Sequence, residues 1–242
     1  MSFSEAIKTA ERYGLSFLEV RTLGGSLDMP AYFAQNPPPA VHPEVRVLGT
    51  SFCLLREYDP DALKAHAALA QHLGTRYLRI FGEGGGTKNT INEEQLDTAA
   101  ANLLCMRETL ADFPVELILE THDSLDSGKL VNALNSRLAE PLKILWDSYN
   151  SWSTSGETLA ETWALIGPLV VHVHYKDSVP DDSPARHHYV LPGEGTFPSA
   201  ELRGILEGAG YTGGISLEWE KMWIPDLGPL EPALEKFVPL FR

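Results

Sequence analysis

Four short apolar runs in this 242-residue chain each end on a residue able to bind a divalent cation. VELILE ends at Glu120, LKILWD at Asp147, LVVHVH at His174 and GISLE at Glu218. The ends lie 27, 27 and 44 residues apart, so no single helix or loop gathers them. They converge only if the runs are neighbouring parallel strands whose C-terminal ends face one place.

The rest of the chain supports that arrangement. Apolar runs alternate with stretches of helical period, the pattern of repeated strand–helix units on a parallel sheet. Strands are predicted over residues 15–21, 45–51, 77–81, 115–120, 144–147, 169–174 and 214–218. Helices are predicted over 4–13, 60–73, 93–112, 127–138, 158–166, 199–209 and 229–237. Three helix-to-strand joints, RYGLSFLEV, HLGTRYLRI and GAGYTGGISLE, carry a glycine where a helix closes with a left-handed residue. The Pro-rich segments QNPPPAVHP and 224–232, and the acidic stretch 178–183, read as loops within one domain spanning residues 1–242. The reading is an α/β TIM-type barrel with seven recognisable strands, lacking the first of eight. The seam between its first and last strands needs covering by a partner, a loop or the C-terminal tail.

Net charge is −14, which opposes binding to a phosphate backbone, since that contact relies on cationic groups. No apolar run approaches the ~18 residues of a membrane span, and MSFSEAIKTAERYG lacks the apolar stretch of a secretory signal. The expectation is a cytoplasmic protein that meets neither nucleic acid nor membrane. Cys53 and Cys105 sit in apolar surroundings and read as two buried, reduced thiols.

Three carboxylates and an imidazole suit one hard to borderline ion: Mn²⁺, Mg²⁺, Co²⁺ or Zn²⁺. The absence of cysteine from the set argues against structural zinc. His172 shares a face with His174 but lies one layer deeper, as an interior hydrogen-bonding residue or a support for the ligand.

The segments LILETHDS, ILWDSYN, VHVHYKDS, PGEGTFP and GYTGGISLEWE together resemble the xylose isomerase-like TIM barrels. That group spans sugar isomerases and epimerases, inosose dehydratases and type IV apurinic endonucleases, and the resemblance runs from about Ser4 to the C-terminus. It implies that Glu120, Asp147, His174 and Glu218 hold one catalytic metal. It also implies that Glu120 and Glu218 act as acid/base groups on opposite faces of a sugar. Three departures stand out. Asn150 replaces a histidine that often follows the Asp147 position by three residues, and is carried here as a substrate-binding candidate. The strand ends at residues 49–51 and 80–82 lack the histidines of the trinuclear zinc endonucleases, which disfavours DNA repair. The first strand is missing.

The implied chemistry is proton transfer next to a carbonyl, with the metal stabilising an enediolate. The expected activity is therefore sugar, sugar phosphate or inositol-derived isomerisation or epimerisation. An inosose-type dehydratase and a non-catalytic sugar-binding barrel are the alternatives. His122, Lys176, Arg79, Arg186 and His188 are placed to bind substrate hydroxyls or an anionic group, with His187 beside them. Trp223, Trp152 and Phe81 either stack on a sugar or pack the core. Glu19 and Arg21 read as an ion pair, and Glu220 as a solvated loop carboxylate. The glycine-rich stretch 82–86 lacks the Lys-Ser/Thr of a phosphate-binding loop and reads as a flexible loop at the site. Gly193-Glu194-Gly195 reads as a turn at the barrel mouth. A homodimer is expected, because it would shield an open seam.

Overall fold

A computed structural model describes residues 1–83, 91–183 and 187–242. In chain order the elements are α1 (Phe3–Tyr13), β1 (Phe17–Val20), α2 (Met29–Gln35), β2 (Glu44–Cys53), α3 (Pro60–His72) and β3 (Tyr77–Phe81). Then follow α4 (Glu93–Thr109), β4 (Glu116–Glu120), α5 (Gly128–Asn135), β5 (Lys143–Asp147), α6 (Ser148–Thr154) and α7 (Leu159–Ile166). The chain ends with β6 (Val170–Tyr175), β7 (Asp177–Pro180), β8 (His187–Val190), α8 (Ser199–Gly208), β9 (Gly214–Leu217) and α9 (Leu230–Leu240).

Local chemistry sets these boundaries. Ser2 and Glu5 cap α1 reciprocally, as Thr158 and Glu161 cap α7. Gly14, Gly74 and Gly210 take positive φ at the three helix-to-strand joints, as their sequence pattern predicts. Seven strands pair in parallel in the order β1-β2-β3-β4-β5-β6-β9, a nearly closed barrel with helices between the strands.

The barrel interior changes character along its axis. Val47, Ile118 and Leu145 form a small buried cluster packed by Tyr77, separate from the main core between sheet and helices. Two residues further along the same strand faces come Gly49, Glu120 and Asp147. Register then pairs Asp147 with His174, and the Glu218 N–H donates to the Tyr175 carbonyl just past β9. The four strand ends are thereby levelled at one mouth.

The seam between β1 and β9 is closed by side chains rather than a backbone ladder. Inside, the Phe17 ring meets the His172 ring edge-on at 5.5 Å, and Glu19 reaches across to β6. Outside, α9 packs against α1, with the Tyr13 hydroxyl 3.4 Å from Glu235 and Arg242 donating to the Tyr13 carbonyl. The C-terminal segment thus covers that seam on its outer side.

Several details depart from the sequence reading. The acidic stretch after β6 is not simply a loop: β7 and β8 form an antiparallel hairpin, each arm too short to show alternation. Helices α2 and α6 were unexpected. Each has seven residues and is started by an aspartate cap, Asp28 or Asp147, rather than by a visible apolar period. Strand β2 runs on to Cys53, and β1 stops at Val20. Cys53 is buried as expected, but Cys105 is exposed on α4. No helix among the described residues is long and apolar enough to cross a membrane.

Candidate active site at the barrel mouth

One ligand atom each from Glu120, Asp147, His174 and Glu218 lies within 4.8 Å of the others. Three of these residues are almost wholly buried, and the Glu218 side chain keeps 26% of its surface exposed. Glu218 is therefore the member of the set that a ligand in the mouth reaches first.

The imidazole is oriented for ligation. His174 Nε2 lies 2.7 Å from Glu19 Oε2, which fixes the proton on that nitrogen. The other nitrogen, Nδ1, is buried without a hydrogen-bond partner, 3.5 Å from Glu120 Oε1 and 3.8 Å from Glu218 Oε2. Burial works against charge on His174, but Glu19, Glu218 and Glu120 hold its imidazole well above the ordinary range, so a nitrogen facing two carboxylates here calls for a positive charge, either its own proton or a cation between them. The donor set and this orphaned nitrogen fit a divalent ion.

The carboxylates are held individually. Asp147 uses one oxygen to accept the Asn150 N–H at 2.8 Å, which caps α6, and the other to accept from Lys176 Nζ at 2.8 Å. Lys176 also donates to Glu218, and to Glu220 at 3.0 Å. Arg79 pairs with Glu120 at 2.9 Å and lies over the Phe81 ring at 4.0 Å.

The resulting electrostatics are uneven. Burial raises the Glu120 carboxyl, but Arg79 and His174 outweigh it and hold the group below the usual carboxylate range. Burial pushes Asp147 up to about 7 against the pull of Lys176, aided by the neighbouring Glu218 and Glu120 charges. Burial works against charge on Lys176, yet Asp147, Glu218 and Glu220 hold its ammonium well above its ordinary range. Of the three clustered carboxylates only Asp147 is pushed toward its neutral form, with burial as the first cause.

Other sequence candidates fall around this cluster or away from it. Asn150 sits at the start of α6, its side-chain amide 3.5 Å from the Thr121 carbonyl, so it braces two strand ends. His122 lies beside Phe81 with ring centroids 5.1 Å apart and is 2.8 Å from Asp123. Trp152 packs on Tyr149 and Phe197, an aromatic group that also includes Tyr189 and His187. His188 is drawn away: its exposed ring pairs with Asp181 on the outer hairpin. Trp223 is 56% exposed on the loop after β9, its backbone N–H donating to the Glu220 carbonyl. Arg186 and most of the stretch 82–86 lie outside the described residues.

Two readings are corrected. Glu19 does not pair with Arg21; it accepts from His174 and stands 3.2 Å from His172. The signal was its parity, since Glu19 shares the inner face of β1 with Phe17. Glu220 is not a free loop carboxylate, because Lys176 and the Tyr189 hydroxyl both donate to it. Asp177, not singled out in the sequence, organises the mouth: its carboxylate accepts the N–H groups of Ser178, Gly193, Gly195 and Phe197. That explains PGEGTFP, since a Cβ at Gly195 would stand 2.1 Å from the Asp177 carboxylate.

A family model described as xylose isomerase-like TIM barrel matches residues 54–238, more than half of the chain. No curated protein sequence matches it. Among solved structures the chain is similar to the probable 3-DHS dehydratase AsbF of Bacillus anthracis, involved in petrobactin synthesis. The TM-score is 0.76 at 19% identity, covering 97% of this chain and 93% of that one. The IolI protein with a bound zinc atom gives a TM-score of 0.75 at 14% identity, covering 100% and 93%. The 3-keto-D-glucoside 4-epimerase YcjR from E. coli gives 0.68 at 14% identity, covering 98% and 92%. At such identities the solved structures speak for the fold, while the family match covers the strands that carry all four clustered residues: the chain belongs to the xylose isomerase-like TIM barrel family.

Proposed function

We propose that this chain is a divalent-metal-dependent enzyme that moves a proton next to the carbonyl of a sugar or polyol-derived ketone, as an isomerase or epimerase. The observation that carries this reading is the four-residue cluster, with His174 Nδ1 orphaned and aimed into it. Glu120, Asp147, His174 and Glu218 would hold the ion, whose identity among Mn²⁺, Mg²⁺, Co²⁺ and Zn²⁺ the donor set leaves open. When bound, such an ion supplies Lewis-acid polarisation of the substrate carbonyl.

The protein residues then divide the remaining work. Glu218, the accessible carboxylate, takes the proton from the carbon next to the carbonyl. Glu120, buried and paired with Arg79, is better suited to ligation and to the second proton transfer on the far face. Lys176 stabilises negative charge that develops on the substrate oxygens, since its ammonium already bridges Asp147, Glu218 and Glu220. Tyr149, Trp152 and Tyr189 wall one side of the mouth and exclude water.

A dehydratase-type lyase is the second reading. It is favoured by His122, which stands two residues beyond Glu120 with 36% of its side chain exposed and Asp123 at 2.8 Å. An imidazole backed by a carboxylate at the mouth can protonate a departing hydroxyl.

Metal analysis and solvent deuterium exchange test these readings. The expected result is one divalent ion per chain, lost in Glu120→Gln and His174→Ala, with deuterium entering a ketose or inosose carbon. Loss of water with growth of an enone absorbance would select the lyase. Failure to bind any divalent ion would overturn both.

A further inference from the structure

Arg21 lies just past the end of β1, and no carboxylate within ion-pair distance faces its guanidinium among the described residues. Its Nη2 donates to Ser51 at 3.1 Å, while Nη1 is shielded from water with no hydrogen-bond partner. On the other side of β2, Arg79 uses Nη1 on Glu120 and leaves Nε shielded and unpaired. The residue between them on β2 is Gly49. A Cβ there would stand 2.6 Å from Arg79 Nη2 and 2.7 Å from Arg21 Cδ. The missing side chain is what lets two guanidinium groups share this space.

Placing two like charges together, partly out of water, is unfavourable, and burial with the nearby Arg79 pushes the Arg21 pKa down to about 10. Glu120 and Glu19 offset part of this from a distance, but among the described residues no carboxylate bonds to the Arg21 guanidinium. An anion arriving from outside would supply the missing acceptor. It would also be fixed relative to the catalytic cluster, because Arg79 touches Glu120 directly.

We propose that Arg21 and Arg79, spaced by Gly49, bind an anionic group of the substrate, a carboxylate or a phosphate, beside the Glu120–Asp147–His174–Glu218 cluster. The inference deepens the function proposed above and rests on it for the word substrate; the anion site itself is testable without turnover.

The probes are glycerate, glycerol 3-phosphate and uncharged glycerol. Each is titrated at constant ionic strength, with and without added Mg²⁺, while the thermal midpoint is followed. At least one anion is expected to bind about tenfold or more tighter than glycerol, and the tighter one identifies carboxylate or phosphate as the source. Arg21→Gln should weaken that anion about tenfold, the size of one lost charge-assisted hydrogen bond, and leave glycerol unchanged. If Arg21→Gln does not fold, Arg21→Lys carries the same comparison, with the anion preference reduced rather than abolished. Equal binding of anions and glycerol, or an unchanged preference in both variants, overturns the inference. An anion preference in a protein that binds no divalent ion would leave this site standing while the proposed function fell.

Discussion

Glu19 offers the sharpest test of how the site is built, because it contacts the His174 imidazole without belonging to the Glu120–Asp147–His174–Glu218 set, although with His172 and His174 it forms a second group of possible ligands. Its Oε2 lies 2.7 Å from His174 Nε2 and 3.2 Å from His172 Nε2, and the side chain is 10% exposed. In Glu19→Gln the amide oxygen still accepts from His174, but a charge-assisted bond of about 1.5–3 kcal/mol becomes a neutral one of about 0.5–1.5 kcal/mol. The difference, about 1–1.5 kcal/mol, corresponds to roughly a tenfold loss in divalent-ion affinity. Glu19→Leu removes the acceptor altogether and frees the imidazole to turn, so the loss approaches the ~100-fold expected when a ligand's support is deleted. Calorimetric titration with Mn²⁺ near neutral pH measures both variants against wild type. Their ranking is the diagnostic result: wild type tightest, the glutamine variant intermediate, the leucine variant weakest. Affinities within twofold of one another, in variants whose thermal midpoints match wild type, would refute the idea that Glu19 orients His174.

Three other outcomes are expected. Lys176→Met removes the cation that bridges Asp147, Glu218 and Glu220, so the metal-free protein should melt earlier and gain more from added Mn²⁺ than wild type; a midpoint unmoved by the substitution would contradict this. Gly195→Ala forces a Cβ against the Asp177 carboxylate and the Ser178 carbonyl, at 2.1 and 2.4 Å, and should cost about 1–3 kcal/mol in urea unfolding. Burial raises the phenols of Tyr149, Tyr175, Tyr189 and Tyr211, with Tyr175 pushed up to about 12. A raised folded-state pKa adds stability in full below the unfolded value near 10 and loses it as pH climbs toward 12, so thermal midpoints should fall across that window; a flat profile there would be inconsistent with buried phenols.

Much of the mouth was legible because strands have a period of two and parallel sheets align their ends. Glu120, Asp147, His174 and Glu218 each follow an apolar run, and the register places Asp147 opposite His174. The misreadings share a cause, which is dependence on neighbours distant in sequence. Glu19 is separated from His174 by 155 residues, and their contact exists only because β1 lies across the mouth from β6. Glu220 finds Lys176 from 44 residues away, and His188 is drawn off by Asp181 through a hairpin whose arms are four residues each.

Composition and pattern alone determined that this chain builds a parallel α/β barrel of seven strands with acidic and imidazole groups at its strand ends. Those features arise from local hydrophobic period, capping residues and the glycines at helix-to-strand joints, which act within a few residues along the chain. Closure of the seam by Phe17, Glu19 and α9, the turning of His174 by Glu19, and the meeting of Arg21 and Arg79 over Gly49 were decided only in three dimensions. Each depends on side chains from non-adjacent segments sharing one small volume, and that volume exists only once the barrel has formed.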